Sequence, residues 1–358
     1  MLVIFFHFNF QTAHIPFWND IILEGGQLGV NIFFIISGIL ISYPFLKQNK
    51  ENGTLYSIKK YTIKRLLRII PLFWISSVFL FLIRNHIHNY YEGNYQFTWK
   101  EVIQNLFFIS DNFRVLNPVI WTLRIEMLFY ILFPLLFFLV KRWQPFFVKW
   151  VHVFFGLVFM VFLMYRIVAG SHQSLREDVF SNLEGFFYGT LISTLLLQDT
   201  HHQKFHTPYP IAVSLILLCL LLIINQTIAA ESVSFQPFFR SGCNACLFFL
   251  FLGLLRKKIA AGNIITRKLL ACISYISLIS YSLYLVHFNV FYDIAMPLFG
   301  GANGLNGLKL LLSRICAVSI TFALASITYF LIERPFVNIY KKQVAKANVG
   351  NKPAFQNL

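Results

Sequence analysis

Glu126 lies in the run W-T-L-R-I-E-M-L-F-Y, Trp121 to Tyr130, where Arg124 is the only other charge. A carboxylate at such depth in an apolar segment costs about 2.5–3.5 kcal/mol on insertion scales unless it is paired or faces a cavity. His7 and His287 sit in similarly apolar surroundings. Ionisable groups of this kind serve acid–base chemistry or proton-coupled transport, so each is a site candidate by default. Their neighbours strengthen the case. Thr122, Glu126 and Tyr130 share one helical face, as do His7, Gln11 and His14. Ser277, Ser280 or Tyr281, Tyr284 and His287 form a polar stripe on an otherwise apolar helix. Polar stripes on membrane helices face a bundle interior or a water-filled cavity, where they do chemistry or tie helices together by hydrogen bonds.

A second group is cationic. Lys64-Arg65-Leu66-Leu67-Arg68 opens an apolar segment, and Arg65 and Arg68 are i, i+3 neighbours. One reading is a membrane anchor whose long side chains snorkel to water. The other is an anion clamp, because guanidinium forks match phosphate oxygens and a helix N-terminus adds N–H groups and a favourable dipole. Gly29 to Gly38, with Asn31 and Ser37 between them, brings small and polar residues into a membrane helix, the composition of a close helix contact. His86 and His88, and His201, His202 and His206, fall in polar loops and read as solvated rather than metal-binding. Cys243-x-x-Cys246 lacks a second ligand pair, so it reads as buried thiols and no metal site is expected.

The elements that must hold these residues are membrane helices. The chain of 358 residues is 57% hydrophobic and only 12% charged, half the share usual in soluble domains. Its apolar segments fall near 1–15, 28–46, 66–83, 119–140, 150–168, 180–198, 209–229, 241–255, 270–296 and 308–332. The expected fold class is therefore an all-α integral membrane protein of about ten transmembrane helices. The first is short, starts at Met1 without a basic flank, and reads as a helix truncated at its N-terminus or begun late. The net charge of +16 comes from short basic clusters between apolar runs, which argues against nucleic acid as a partner and for the lipid bilayer. The clusters at 47–68, 141–149, 204, 256–268 and 334–352 alternate along the chain, which makes those connections and both termini cytoplasmic. Residues 1–336 form one membrane domain in this reading, and 337–358 a basic, fraying tail.

Six collinear pieces resemble the acyltransferase-3 family of bacterial membrane O-acyltransferases. V-I-F-F-H-F resembles the family's first-helix histidine segment, and G-Q-L-G-V-N-I-F-F-I-I-S-G-I-L-I its G-x-x-G-V-D-x-F-F-x-x-S-G-F-L-I signature. K-R-L-L-R-I-I-P-L-F-W is similar to R-R-x-x-R-I-x-P-x-x-W, and W-T-L-R-I-E-M-L-F-Y to W-S-L-x-x-E-x-x-F-Y. I-S-L-I-S-Y-S-L-Y-L-V-H resembles the late S-Y-x-x-Y-L-x-H, and Glu333-Arg334-Pro335 the terminal E-R-P. The chain departs from the pattern at Lys64, Asn31 and Thr122, where the family has Arg, Asp and Ser. The family's arginine eleven residues before its histidine would lie upstream of Met1.

The resemblance implies transfer of an acyl group, usually acetyl, from acyl-CoA to a hydroxyl of a carbohydrate or glycolipid, in the bacterial inner membrane, with no permanently bound cofactor. It assigns the catalytic histidine to His7, with Glu126 orienting it; exchanged roles, or an acylated His7, are alternatives. Lys64, Arg65 and Arg68 would hold the CoA phosphates. Asn31, Ser37, Trp121, Thr122 and Tyr130 would line the cavity, as would Ser280, Tyr281, Tyr284 and His287. The chain reads as the membrane module alone, without the extracytoplasmic domain of some members. The rival class is a transporter, or a polysaccharide-export partner without acyl transfer.

Overall fold

The computed structural model describes residues 2–8, 16–52, 58–84, 97–109, 116–140, 146, 150–169, 178–198, 209–227, 235–256, 264–299 and 307–339. The calls on Gln11, His14, His86, His88, His201, His202, His206 and the basic tail lie outside them. Every described element is helical. In chain order these are α1 (Leu2–His7), α2 (Pro16–Asn52), α3 (Ile58–Arg84), α4 (Trp99–Leu106) and α5 (Ile120–Val140). They continue with α6 (Val151–Ala169), α7 (Val179–Gln198), α8 (Tyr209–Thr227), α9 (Gln236–Arg256), α10 (Ile264–Leu278), α11 (Ser280–Asn289) and α12 (Gly307–Thr328). Two π-helical segments, Val290–Ala295 and Tyr329–Glu333, extend α11 and α12.

Among the described residues, four helical stretches are long and apolar enough to cross a bilayer: Gly26–Lys47, Ile63–Arg84, Gln236–Leu255 and Leu311–Ile339. A fifth is the pair Leu270–Leu278 and Ser280–Leu298, bent by 65°. That bend corrects the expectation of one straight helix over 270–296. The break falls at Ile279, whose ψ of 5° leaves the α region. Ser280 Oγ takes up the carbonyl oxygen of Ser277 beside the break, at 2.8 Å. By contrast Pro44, Pro71 and Pro134 sit within continuous α2, α3 and α5. The first apolar segment is also reshaped, because α1 ends at His7 and a 37-residue α2 starts at Pro16.

The helices group into two compact units, Met1–Tyr56 with Trp121–Ala260, and Ser57–Ile120 with Ala261–Leu358. In the first, α2 and α7 approach at backbone distance. A Cβ on Gly38 would lie 2.6 Å from the Phe186 oxygen, and one on Gly189 would run into the Ile35 oxygen. Small residues are what permit such a contact in lipid, where packing rather than the hydrophobic effect holds helices together. Phe186 stacks between Phe34 of α2 and Phe129 of α5, with ring centroids at 4.9 and 4.2 Å. Phe45 of α2 meets Phe133 and Phe137 edge-on. These rings seat α5, the helix that carries Glu126.

In the second unit, Phe81, Phe97, Val102 and Leu116 form a buried cluster beneath α4. Thr98 caps α4 in a reciprocal capping box with Glu101. Asn105 of α4 accepts the Leu116 amide at 3.2 Å, which ties the chain back onto α4 just before α5 begins.

Candidate functional site

The first unit holds His7 and Glu126. His7 is the last residue of α1 and half-buried, with the Phe6 ring edge-on at 4.9 Å. Phe6 in turn rests on Gly26 of α2, where a Cβ would fall 2.5 Å from the ring. The bare glycine therefore lets α1 seat against α2 and sets the depth of His7. On α5, Glu126 is 7% exposed and accepts a hydrogen bond from the Tyr130 hydroxyl one turn on. Thr122 and Tyr130 are buried with it, Trp121 is half-buried, and Arg124 is turned to the exposed side. Two residues apart on a helix means nearly opposite faces, so the one charge that shares this run lies away from Glu126. Asn31 and Ser37 of α2 are also buried, and Gln27 donates to Asn31 at 3.2 Å.

The second unit holds the cationic cluster and the late polar stripe. Lys64 is exposed, Arg65 is half-buried with its guanidinium 5.9 Å over the Tyr61 ring, and Arg68 is half-buried. The Nε of Arg68 stands 3.5 Å from Glu333. The bend divides the polar stripe. Ser277 and Ser280 are exposed. Below the bend, Tyr281 donates to the Ile69 oxygen of α3 at 2.9 Å, and Tyr284 to the Val119 oxygen at 3.3 Å. The first hydroxyl ties α11 to α3, and the second ties α11 to the turn at Val119. His287 is fully buried, and its Nδ1 lies 2.7 Å from the Tyr284 oxygen. A carbonyl only accepts, so Nδ1 carries the proton and Nε2 is the basic nitrogen of the neutral ring.

Four charged residues, Arg166, Glu184, Arg84 and Asp293, were not singled out from the sequence. Arg166 of α6 and Glu184 of α7 form an ion pair at 2.7 Å, with both side chains enclosed. Arg166 also donates to Ser181 Oγ, the Ser181 oxygen and Ser241 Oγ, and Asn244 donates to Glu184. The signal was present, since Glu184 lies in an apolar run just as Glu126 does. Arg84, the last residue of α3, donates to the Leu116 oxygen at 2.6 Å, to Asn289 at 3.0 Å and to Asp293 at 3.2 Å. Asn117 donates to the Leu285 oxygen beside it. Glu333, noticed in the sequence only as part of a motif, is the partner of Arg68. Among the described residues no group of three His, Cys, Asp or Glu is placed to hold a metal ion.

A family model described as an acyltransferase domain matches residues 1–330. The chain is 25% identical to the peptidoglycan O-acetyltransferase OatA of Listeria monocytogenes over 95% of its own length and 55% of that protein's. It is 31% identical to the O-acetyltransferase OatA of Staphylococcus aureus over 40% of its length and 24% of that protein's. The chain thus spans about half the length of the Listeria relative, and a smaller share of the Staphylococcus one is matched. No solved structure matches it. With its all-helical build, its apolar spans and a match running through both units, the chain belongs to the acyltransferase-3 family.

Proposed function

We propose that the chain is a membrane-embedded O-acyltransferase that moves an acetyl group from acetyl-CoA to a hydroxyl of a cell-surface or exported carbohydrate. The observation that carries the reading is an enclosed carboxylate, Glu126, fixed by Tyr130 on the same compact unit as His7. A hydroxyl is a poor nucleophile near neutral pH, and a neutral imidazole suits the task of taking its proton. In this mechanism the acceptor oxygen attacks the thioester carbonyl as its proton passes to His7. The C–S bond then breaks, and the CoA sulfur leaves with the proton that His7 returns. Glu126 orients His7 and stabilises its transient positive charge.

Lys64, Arg65 and Arg68 hold the CoA phosphates, Arg68 and Arg65 by fork-like hydrogen bonds and Lys64 as a point charge. In the bilayer the chain makes about ten spans, with both termini and the clamp cytoplasmic and the His7–Glu126 end toward the outer half. The inner membrane of a bacterium is its location. The acetylated acceptor of the Listeria relative, peptidoglycan by its name, makes cell-wall glycan the first acceptor to try.

Purified protein given labelled acetyl-CoA and a glycan acceptor tests the reading. The His7→Ala protein should lose transfer by about three orders of magnitude or more while still binding CoA. A folded His7→Ala protein working at the wild-type rate would remove His7 from the mechanism. A reporter fused at Asn94 checks the topology, which a cytoplasmic signal there overturns.

A further inference from the structure

Arg68 and Glu333 differ sharply in exposure. The Arg68 side chain is 39% exposed, and that of Glu333 only 3%. The ion-pair contact is between Nε of Arg68 and one carboxylate oxygen of Glu333, at 3.5 Å. Glu333 is itself held, because Ser282 of α11 donates to its other carboxylate oxygen at 3.2 Å. It also closes the π-helical segment Tyr329–Glu333, and a π-turn shifts the direction in which the following side chain leaves the helix axis. Tyr281, next to Ser282, binds the Ile69 oxygen, next to Arg68. Two neighbouring residues of α11 thus pin the acid and the helix that carries the cation.

We propose that Glu333 is a positioning residue for the acyl donor: anchored by Ser282, it grips Arg68 by Nε and presents the two terminal nitrogens of the guanidinium to the CoA phosphates. The proposal rests on the reading of Arg68 as part of the donor clamp. A free arginine has many rotamers to lose on binding, and a carboxylate that fixes the Nε edge in advance removes much of that loss. It also keeps a half-exposed cation balanced while the donor is absent. The arrangement resembles a hand held at the wrist, since the terminal fork is the part that matches phosphate in a bidentate way. Among the charges of the second unit, Arg84 is the contrast: both of its terminal nitrogens are committed to protein oxygens, so it has no fork to offer.

The test is a double-mutant cycle on the full chain in nanodiscs, read as the Kd for CoA by calorimetry, with each variant's melting temperature taken alongside. Arg68→Ala should weaken CoA about tenfold, and Glu333→Ala about fivefold to tenfold. The double variant should bind no more weakly than Arg68→Ala alone, because Glu333 acts through Arg68. Glu333→Gln keeps an oxygen for Arg68, and its NH2 can donate to the Ser282 hydroxyl in place of the bond Ser282 now gives, so it should recover most of the loss. This variant carries the test if Glu333→Ala fails to fold: in the Arg68→Ala background it should change nothing. Two results overturn the positioning role while the clamp stands: Glu333 variants that bind CoA as tightly as wild type or tighter, or losses that add in full to that of Arg68→Ala. An Arg68→Ala protein that binds CoA like wild type overturns the clamp itself, and the proposal with it.

Discussion

The first unit buries an arginine–glutamate pair completely, and the second leaves one half open. Arg166 spends its Nε and both terminal nitrogens on Ser181, Ser241 and Glu184, and Asn244 fills the same oxygen of Glu184. Arg68, itself 39% exposed, meets the enclosed Glu333 through Nε at 3.5 Å. A charge pair withdrawn from water is tolerable when hydrogen bonds replace much of its hydration, and the closed pair draws them from three neighbours, Ser181, Ser241 and Asn244. Such a pair holds α6, α7 and α9 together, with every nitrogen of the arginine committed to protein oxygens. In the proposed role of Arg68, the open pair carries a charge already oriented and still able to bind. Exposure and the choice of arginine nitrogen, more than the presence of a salt bridge, separate a brace from a binding group.

The largest effect should come from breaking the closed pair. Glu184→Ala leaves Arg166 enclosed without its counter-charge and should cost about 3–5 kcal/mol, seen as a large loss of melting temperature or of folded yield. If that variant melted like wild type, the closed pair would not be a brace. Replacing both members with apolar residues, Arg166→Met with Glu184→Leu, should recover most of that stability, since no charge is then stranded. Continued loss in the double variant would mean that the pair does more than join helices. Arg68→Ala also strands an enclosed acid, but Ser282 still holds Glu333, so it should cost less stability than Glu184→Ala while CoA binding weakens as described. Equal damage to folding at both pairs would erase the contrast. The smallest effect belongs to Ser280→Ala. Its hydroxyl is exposed and only caps a carbonyl at the bend, so stability and transfer should stay within about 0.5 kcal/mol of wild type.

Part of the site was readable residue by residue. Glu126 betrays itself because a carboxylate in an apolar run needs a reason, and the i, i+4 spacing to Tyr130 names its partner in advance. The same rule marks Glu184 as a charge that needs a reason, but it does not say that Arg166 supplies it. The bend at Ile279 was not legible. No proline or glycine marks it, whereas the three prolines of α2, α3 and α5 stay within their helices. The serines and tyrosines beyond it looked like one continuous stripe, and the bend is what leaves Ser277 and Ser280 on the exposed side. Gly26 entered the sequence reading only as the first residue of the G-Q-L-G-V signature. That it makes room for Phe6, and so sets His7, depends on a neighbour twenty residues earlier in the chain.

By itself the sequence determined the helical membrane class, the family and the faces on which His7, Glu126 and the cationic cluster lie. These are properties of hydropathy and of helical period, both of which act over one or two turns of local chain. Only the tertiary structure decided which acid meets which base. Arg68 finds Glu333, Arg84 finds Asp293 and Arg166 finds Glu184, each on a different helix. Coulomb attraction carries no sequence address: in a low-dielectric interior any enclosed cation stabilises any enclosed anion nearby. The packing of glycines and aromatic rings brings particular helices into contact, and that contact selects the pairs.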